Sequence, residues 1–77
     1  MNIEIKKSSK KSLAVLYKAY SLRLSTGQSE QRAITFQRSD RDINGFSENS
    51  IPELKKAGYI SSDILGNIYL KDKAIIC

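Results

Sequence analysis

Histidine is absent from the chain, and cysteine occurs once, as the final residue Cys77. With no histidine, no CxxC pair and no carboxylates at helical ligand spacing, no donor set for zinc or calcium can be assembled, so no metal is expected. The serines have no basic partner of the kind that activates a hydroxyl nucleophile, so no catalytic residue is assigned. Asp40 and Asp42, two apart in a polar stretch, read as capping and solvated residues rather than an acid/base pair. Gly27, Gly45, Gly58 and Gly66 stand alone, so no phosphate-cradling loop is present. The chain is therefore expected not to be an enzyme, with no cofactor and no small-molecule substrate. A lone thiol cannot form an internal bridge and, without a secretory pattern, points to a reducing cytoplasm. Long apolar runs are lacking too. Leu13-Ala14-Val15-Leu16-Tyr17 stops at Lys18, short of the roughly 7–15 residues of a signal peptide and of the ~20 of a membrane span. A soluble protein without membrane contact is expected.

What is present is basic charge, unevenly placed. The formal net charge is +5 over 77 residues. Residues 1–23 hold Lys6, Lys7, Lys10, Lys11, Lys18 and Arg23 against Glu4, while cations and anions balance over residues 24–77. All of the excess lies in the N-terminal arm and the helix after it. Such an arm is a usual electrostatic footprint for nucleic acid, and equally a solubilising tail. The length predicts a single domain over residues 1–77, near the small end of what folds without disulfides or metal and too short for a deep substrate cleft.

Along the chain, Ile3 and Ile5 alternate with polar neighbours, giving either a short edge strand or a flexible basic arm over residues 1–7. Leu13, Leu16, Tyr17, Tyr20 and Leu24 then recur on one face of an amphipathic helix over Ser8–Ser25, capped by Ser8 or Ser9 and ended at Gly27. Ser29 and Glu30 open a second short helix, although Ile34-Thr35-Phe36 leaves a strand open as an alternative. Ser39 can start one helical turn, Asn44-Gly45 marks a turn, and Ile43 and Phe46 can plug the core from the loop. Ser50 and Glu53 have capping-box spacing and Pro52 suits a first turn, so a third helix is expected over Ile51–Ala57, closed by Gly58. Tyr59–Ile64 and Ile68–Leu70 alternate as two strands, with Ile60 and Ile64 on one face and Gly66-Asn67 supplying the left-handed turn residues. Lys71–Ile76 is at most a terminal turn pinned by isoleucines. The expected class is mainly α with a C-terminal β-hairpin (α+β). Tyr17 and Tyr20 are expected in the core, whereas Tyr59 and Tyr69 lie opposite Ile60 and Ile68 on the strands.

Helix, short helix, turn, helix and hairpin is the order of winged helix-turn-helix domains, and residues 9–76 resemble that family. Leu54-Lys55-Lys56-Ala57-Gly58-Tyr59-Ile60 resembles its exit from the recognition helix, and Ile68-Tyr69-Leu70-Lys71-Asp72-Lys73-Ala74 resembles the run that closes its wing. Here Lys71 and Ala74 stand where threonine and glycine are usual. Gly27-Gln28-Ser29 and Leu54–Gly58 also resemble steps in small Firmicute and phage winged-helix proteins. The resemblance implies a three-helix winged helix-turn-helix and a bacterial or phage transcriptional regulator that binds double-stranded DNA. It implies that the third helix enters the major groove, with Asn49, Ser50 and Glu53 facing base edges and Arg41, Lys55 and Lys56 on phosphates. Lys6, Lys7, Lys10, Lys11 and Lys71 are further candidates for the DNA backbone.

Two features run against DNA. Glu48 and Glu53 cancel Lys55 and Lys56, and the wing Ser61–Asn67 holds Asp63 but no cation. They favour the alternative, a winged-helix module that docks on a protein partner or forms a homodimer. An exposed apolar strip at Tyr59 or Tyr69 would mark that docking.

Overall fold

The structure, a computed structural model, describes residues 5–76. It comprises α1 (Lys7–Ser25), α2 (Glu30–Ile34), β1 (Thr35–Phe36), two 3-10 turns (Arg38–Arg41 and Glu48–Ser50), α3 (Ile51–Ala57), β2 (Ile60–Ser62), β3 (Ile68–Leu70) and α4 (Asp72–Ile76). The chain is mainly helical, with one antiparallel sheet in the order β1-β3-β2, an α+β arrangement. Among the described residues, no helix is long and apolar enough to cross a membrane.

α1 begins one residue earlier than its periodicity suggested, and neither Ser8 nor Ser9 caps it. Lys6 is the capping residue and makes no side-chain bond. Ser9 instead lies on the buried stripe Ser9, Ser12, Leu16 and Tyr20, spaced i, i+3, i+7 and i+11. Small hydroxylated residues fit there because other elements satisfy them. Ser9 donates to the Glu53 carboxylate, and Ser12 Oγ accepts from the Ser47 amide at 2.9 Å. The stripe is thereby rotated away from the apolar face expected from sequence. Tyr17 and Leu24 remain 42% and 38% exposed. The helix ends as expected: Gln28 N–H donates to Arg23 O and Gly27 N–H to Leu24 O, with Gly27 at φ +94°. The expected arm over residues 1–7 lies partly outside the described residues. Within them Ile5 packs against the core and Lys7 is helical.

Both readings of residues 33–36 occur, in succession. Ser29 Oγ accepts from Arg32 N–H to start α2, and the chain then extends into β1. β1 pairs with β3 through Thr35–Tyr69 and Phe36–Ile68, and β2 pairs with β3 through Ile60–Leu70, Ser61–Tyr69 and Ser62–Ile68. Phe36, Ile60, Ile68 and Leu70 thus turn to one side and join Leu16, Tyr20, Ala33 and Leu54 in the core. Full burial of a side chain such as Phe36 contributes about 1.5–3 kcal/mol. Phe46 packs on this core from its loop; Ile43 stays half-buried outside it.

Three expectations about the C-terminal half are corrected. First, the hairpin is not terminal, because α4 follows it and packs Ala74 and Ile75 on the core. Second, β2 ends at Ser62, and Ile64 is fully exposed rather than on the face of Ile60. The strand stops because Asp63 draws the next amides into a loop, in which Gly66, not Asn67, takes positive φ. Third, α3 spans the expected residues without the Ser50–Glu53 capping box. Ser50 has helical dihedrals and its hydroxyl donates to Ser47 O at 2.6 Å. The preceding 3-10 turn feeds the helix, Pro52 occupies its first turn, and Gly58 closes it at φ +88°.

Candidate nucleic-acid interface

α3 presents fewer polar groups than its sequence suggested. Ser50 is buried, so it does not reach a base edge. Glu53 is turned toward α1, where its carboxylate accepts from the Ser9 hydroxyl and from the Lys6 amide at 3.2 and 3.3 Å. The Ser9 bond, then the Lys6 amide, holds this carboxyl below its ordinary pKa. Of the three base-facing candidates only Asn49 is exposed. Lys55 and Lys56, at the end of α3, are exposed as well.

Arg41, expected on a phosphate, is turned into the protein instead. Its residue is 7% exposed, and its Nε lies 3.0 Å from a Glu48 oxygen. Its Nη1 donates to Gly66 O at 2.8 Å and to Phe36 O at 3.4 Å. One guanidinium therefore joins the first 3-10 turn, β1 and the hairpin loop. The planar fork suits donation to several acceptors at once, which an ammonium on a flexible stem would meet less well. Arg23 plays a comparable part that its position in a basic segment concealed. It stacks 4.3 Å from the Phe36 ring centroid, donates to Thr35 O at 2.6 Å and pairs with Asp40 at 3.4 Å. Burial lowers its pKa, with the Asp40 charge acting against that shift. Asp40 also pairs with Arg32 at 3.6 Å.

The hairpin loop was expected to carry an acidic charge and no cation; the acidic charge stays, bonded within the loop, and a cation reaches it from another segment. Asp63 accepts from Leu65 N–H and Asn67 N–H at 3.0 Å, from Asn67 Nδ2 at 3.2 Å and from the Tyr69 hydroxyl at 2.6 Å. The Tyr69 bond is the main reason its pKa is lowered, and the same bond raises that of Tyr69. An aspartate binding amides two and four residues on is a local pattern, so Asp63-x-x-Gly66-Asn67 did carry a signal for this loop. Arg38 arrives from the first 3-10 turn. A Cβ built at Gly66 would lie 3.1 Å from Arg38 Nε, so the exposed arginine rests against the loop. Nothing local to either segment announced that approach.

Among the described residues the ion pairs are Arg23–Asp40, Arg32–Asp40 and Arg41–Glu48. Lys6, Lys7, Lys10, Lys11, Arg38, Lys55, Lys56 and Lys71 are exposed and form none. The structure thus brings Arg38 to the hairpin loop and leaves Asn49, Lys55 and Lys56 on the surface of one helical segment. It removes Arg41, Ser50 and Glu53 from the candidate interface.

Tyr59 and Tyr69 do not form the exposed apolar strip that would mark a docking surface. Tyr59 is buried beneath Lys73 Nζ, 4.7 Å from its ring centroid, and Tyr69 is half-buried against Asp63. Tyr20 is in the core, and burial, followed by the Glu30 charge, raises its pKa. A groove of about 400 Å³ does run between α1 and α4, walled by Ile5, Leu13, Tyr17, Tyr59 and Ile75 with Lys10 beside them. No protein-family model, curated protein or solved structure matches the chain.

Proposed function

We propose that the chain is a small winged helix-turn-helix DNA-binding protein, a bacterial or phage regulator of transcription, with α3 as its reading element and the β2–β3 hairpin as its wing. The observation that carries this reading is the internal use of carboxylates. Glu48 faces Arg41, Glu53 faces α1 and Asp63 faces its own loop, whereas Lys55, Lys56 and Arg38 are exposed without an ion pair among the described residues. Because Glu48 is paired with Arg41, Lys55 and Lys56 are set against Glu53 alone on α3, which tilts that surface toward a polyanionic partner. Lys7, Lys10 and Lys11 on α1 add sequence-independent attraction, and the exposed Asn49 reports base identity through adenine N6 and N7 in this reading.

Mobility shift on duplex DNA across a salt series tests the reading. Binding is expected to be strongest at low salt; no binding even at about 50 mM salt overturns it. Lys10→Gln with Lys11→Gln should weaken binding to all sequences, whereas Asn49→Ala should change preference among them. The α1–α4 groove favours a second reading, a winged-helix module docking on a protein partner or on its own copy. Sedimentation of the free chain with and without Tyr17→Glu separates self-association from monomeric DNA binding.

A further inference from the structure

One face of α1 forms a wall of the α1–α4 groove. Lys10, Leu13, Ala14 and Tyr17 stand at i, i+3, i+4 and i+7, so they share that side of the helix. Ala14 on this face and Ala74 on α4 contribute only methyl groups, and this shortage of side-chain volume leaves about 400 Å³ between the helices. An apolar cavity of ~150 Å³ takes up benzene, so the groove admits a body of two rings or about ten carbons. Sites for small ligands run from roughly 300 to 1,000 Å³. A standard protein interface engages roughly 20–30 residues a side, far more than wall this groove.

The polar groups set the sign of the ligand's charge. Lys10 is exposed and is the one charged residue lining the groove among the described residues. From Lys7 to Ser25, α1 contains no Asp or Glu. Lys73 adds a second cation, its Nζ 4.7 Å from the Tyr59 ring centroid and donating to Ala57 O at 2.7 Å. Carboxylates on neighbouring segments are engaged elsewhere. Glu53 accepts from Ser9 and from the Lys6 amide, and Asp72 borders a separate hollow with Glu30. Tyr59, which also lines the groove, is 8% exposed. Its hydroxyl is in none of the hydrogen bonds among the described residues, where no fully enclosed polar atom lacks a partner. That hydroxyl is therefore open to water and can exchange it for a ligand oxygen.

We propose that the groove binds a small carboxylic acid with an aromatic or aliphatic body of about ten carbons. The body lies over Ala14 and Ala74 beside Tyr17, the carboxylate pairs with Lys10, and the Tyr59 hydroxyl is the second donor. The inference goes beyond both readings above and holds whether or not the chain binds DNA.

Titration calorimetry of the full chain with 2-naphthoate tests it, with neutral 2-naphthamide and cationic 2-naphthylmethylamine as comparisons. 2-Naphthoate should bind with a Kd of roughly 0.1–1 mM, the affinity expected of so small a ligand, and more tightly than either comparison. Lys10→Gln should weaken 2-naphthoate about two- to fivefold, the range for a partly exposed ion pair, and leave 2-naphthamide unchanged. Tyr59→Phe should weaken it about threefold, as loss of one hydrogen bond does. Ala14→Trp, at an exposed helix position, should fill the groove and abolish binding with the circular dichroism spectrum retained. Lys18→Gln, on α1 but outside the groove, should change nothing. Equal affinity for acid and amide, or equal losses in Lys10→Gln and Lys18→Gln, overturns the assignment of the anion. Undiminished binding by Ala14→Trp places the ligand elsewhere and overturns the site. No binding at about 5 mM overturns the proposal and leaves the groove to the protein surface of the second reading.

Discussion

On α1, Lys7, Lys10, Lys11 and Lys18 are exposed around a buried stripe of Ser9, Ser12, Leu16 and Tyr20, and none of the four forms an ion pair among the described residues. The unit of α3 with its hairpin is arranged otherwise. Its carboxylates Glu48, Glu53 and Asp63 are all bonded, and its deepest cation, Arg41, is a brace. α1 is strongly basic in sequence and remains so when folded. The α3–hairpin unit is close to neutral in sequence, and among the described residues its exposed Lys55 and Lys56 have no anions paired with them. Segment charge and surface charge thus agree where side chains point outward and differ where a charge is paired internally, as Arg41 is with Glu48.

The largest expected effect that sharpens this contrast is on stability. Arg41→Ala removes the bonds to Glu48, Phe36 O and Gly66 O, and should cost about 1.5–3 kcal/mol in urea unfolding, in the range for hydrogen bonds to charged groups. Lys11→Ala should fall within about 0.5 kcal/mol of the unaltered chain, as exposed substitutions do. Equal losses at the two positions would erase the distinction between brace and surface charge. Next comes DNA affinity. Lys55→Gln with Lys56→Gln should lower affinity about tenfold and reduce the slope of log K against log salt by roughly 1.8 if each lysine meets one phosphate. An unchanged slope, with a reduced one for Lys10→Gln and Lys11→Gln, would place all contacts on α1.

The smallest effect is the acid limb. Glu53 and Asp63 both titrate below their ordinary values in the folded chain. Their contribution is complete above the unfolded carboxyl pKa, about 4, and is lost as pH falls through the lowered folded values. Thermal unfolding should therefore show stability declining below about pH 4, with a shallower decline in Glu53→Gln and Asp63→Asn variants. A decline of the same steepness in those variants would show that neither carboxylate is the source.

Where hydrogen-bond choice was local, sequence reading succeeded. Ser29 caps α2, Gly27 and Gly58 end α1 and α3, and Ile60, Ile68 and Leu70 face the core. Each of these depends on dihedral preference or on partners a few residues away. Where a side chain had a local and a distant partner to choose between, reading failed. Glu53 had Ser50 at capping distance in sequence but bonds to Ser9, and Ser9 had the α1 terminus but bonds to Glu53. Ser12 was hidden in the same way, because a hydroxyl on a buried stripe is legible only when its acceptor or donor is known. β1 is ambiguous in sequence because two residues are too few to carry a period, and its pairing with β3 joins residues more than thirty apart.

The sequence by itself determined where the helices begin to repeat, where glycines stop them, which strand residues turn inward, and that the basic excess lies before residue 24. Those properties follow from 3.6- and 2-residue periodicity, from left-handed backbone preference and from composition. Tertiary structure decided which charges reach solvent. It turned Arg41, Ser50 and Glu53 inward, set Arg38 against Gly66, and left Ile64 and Leu65 exposed on a loop braced by Asp63. Each of these outcomes depends on whether a polar group loses water to a protein partner or keeps it, and that exchange is settled only when distant segments meet.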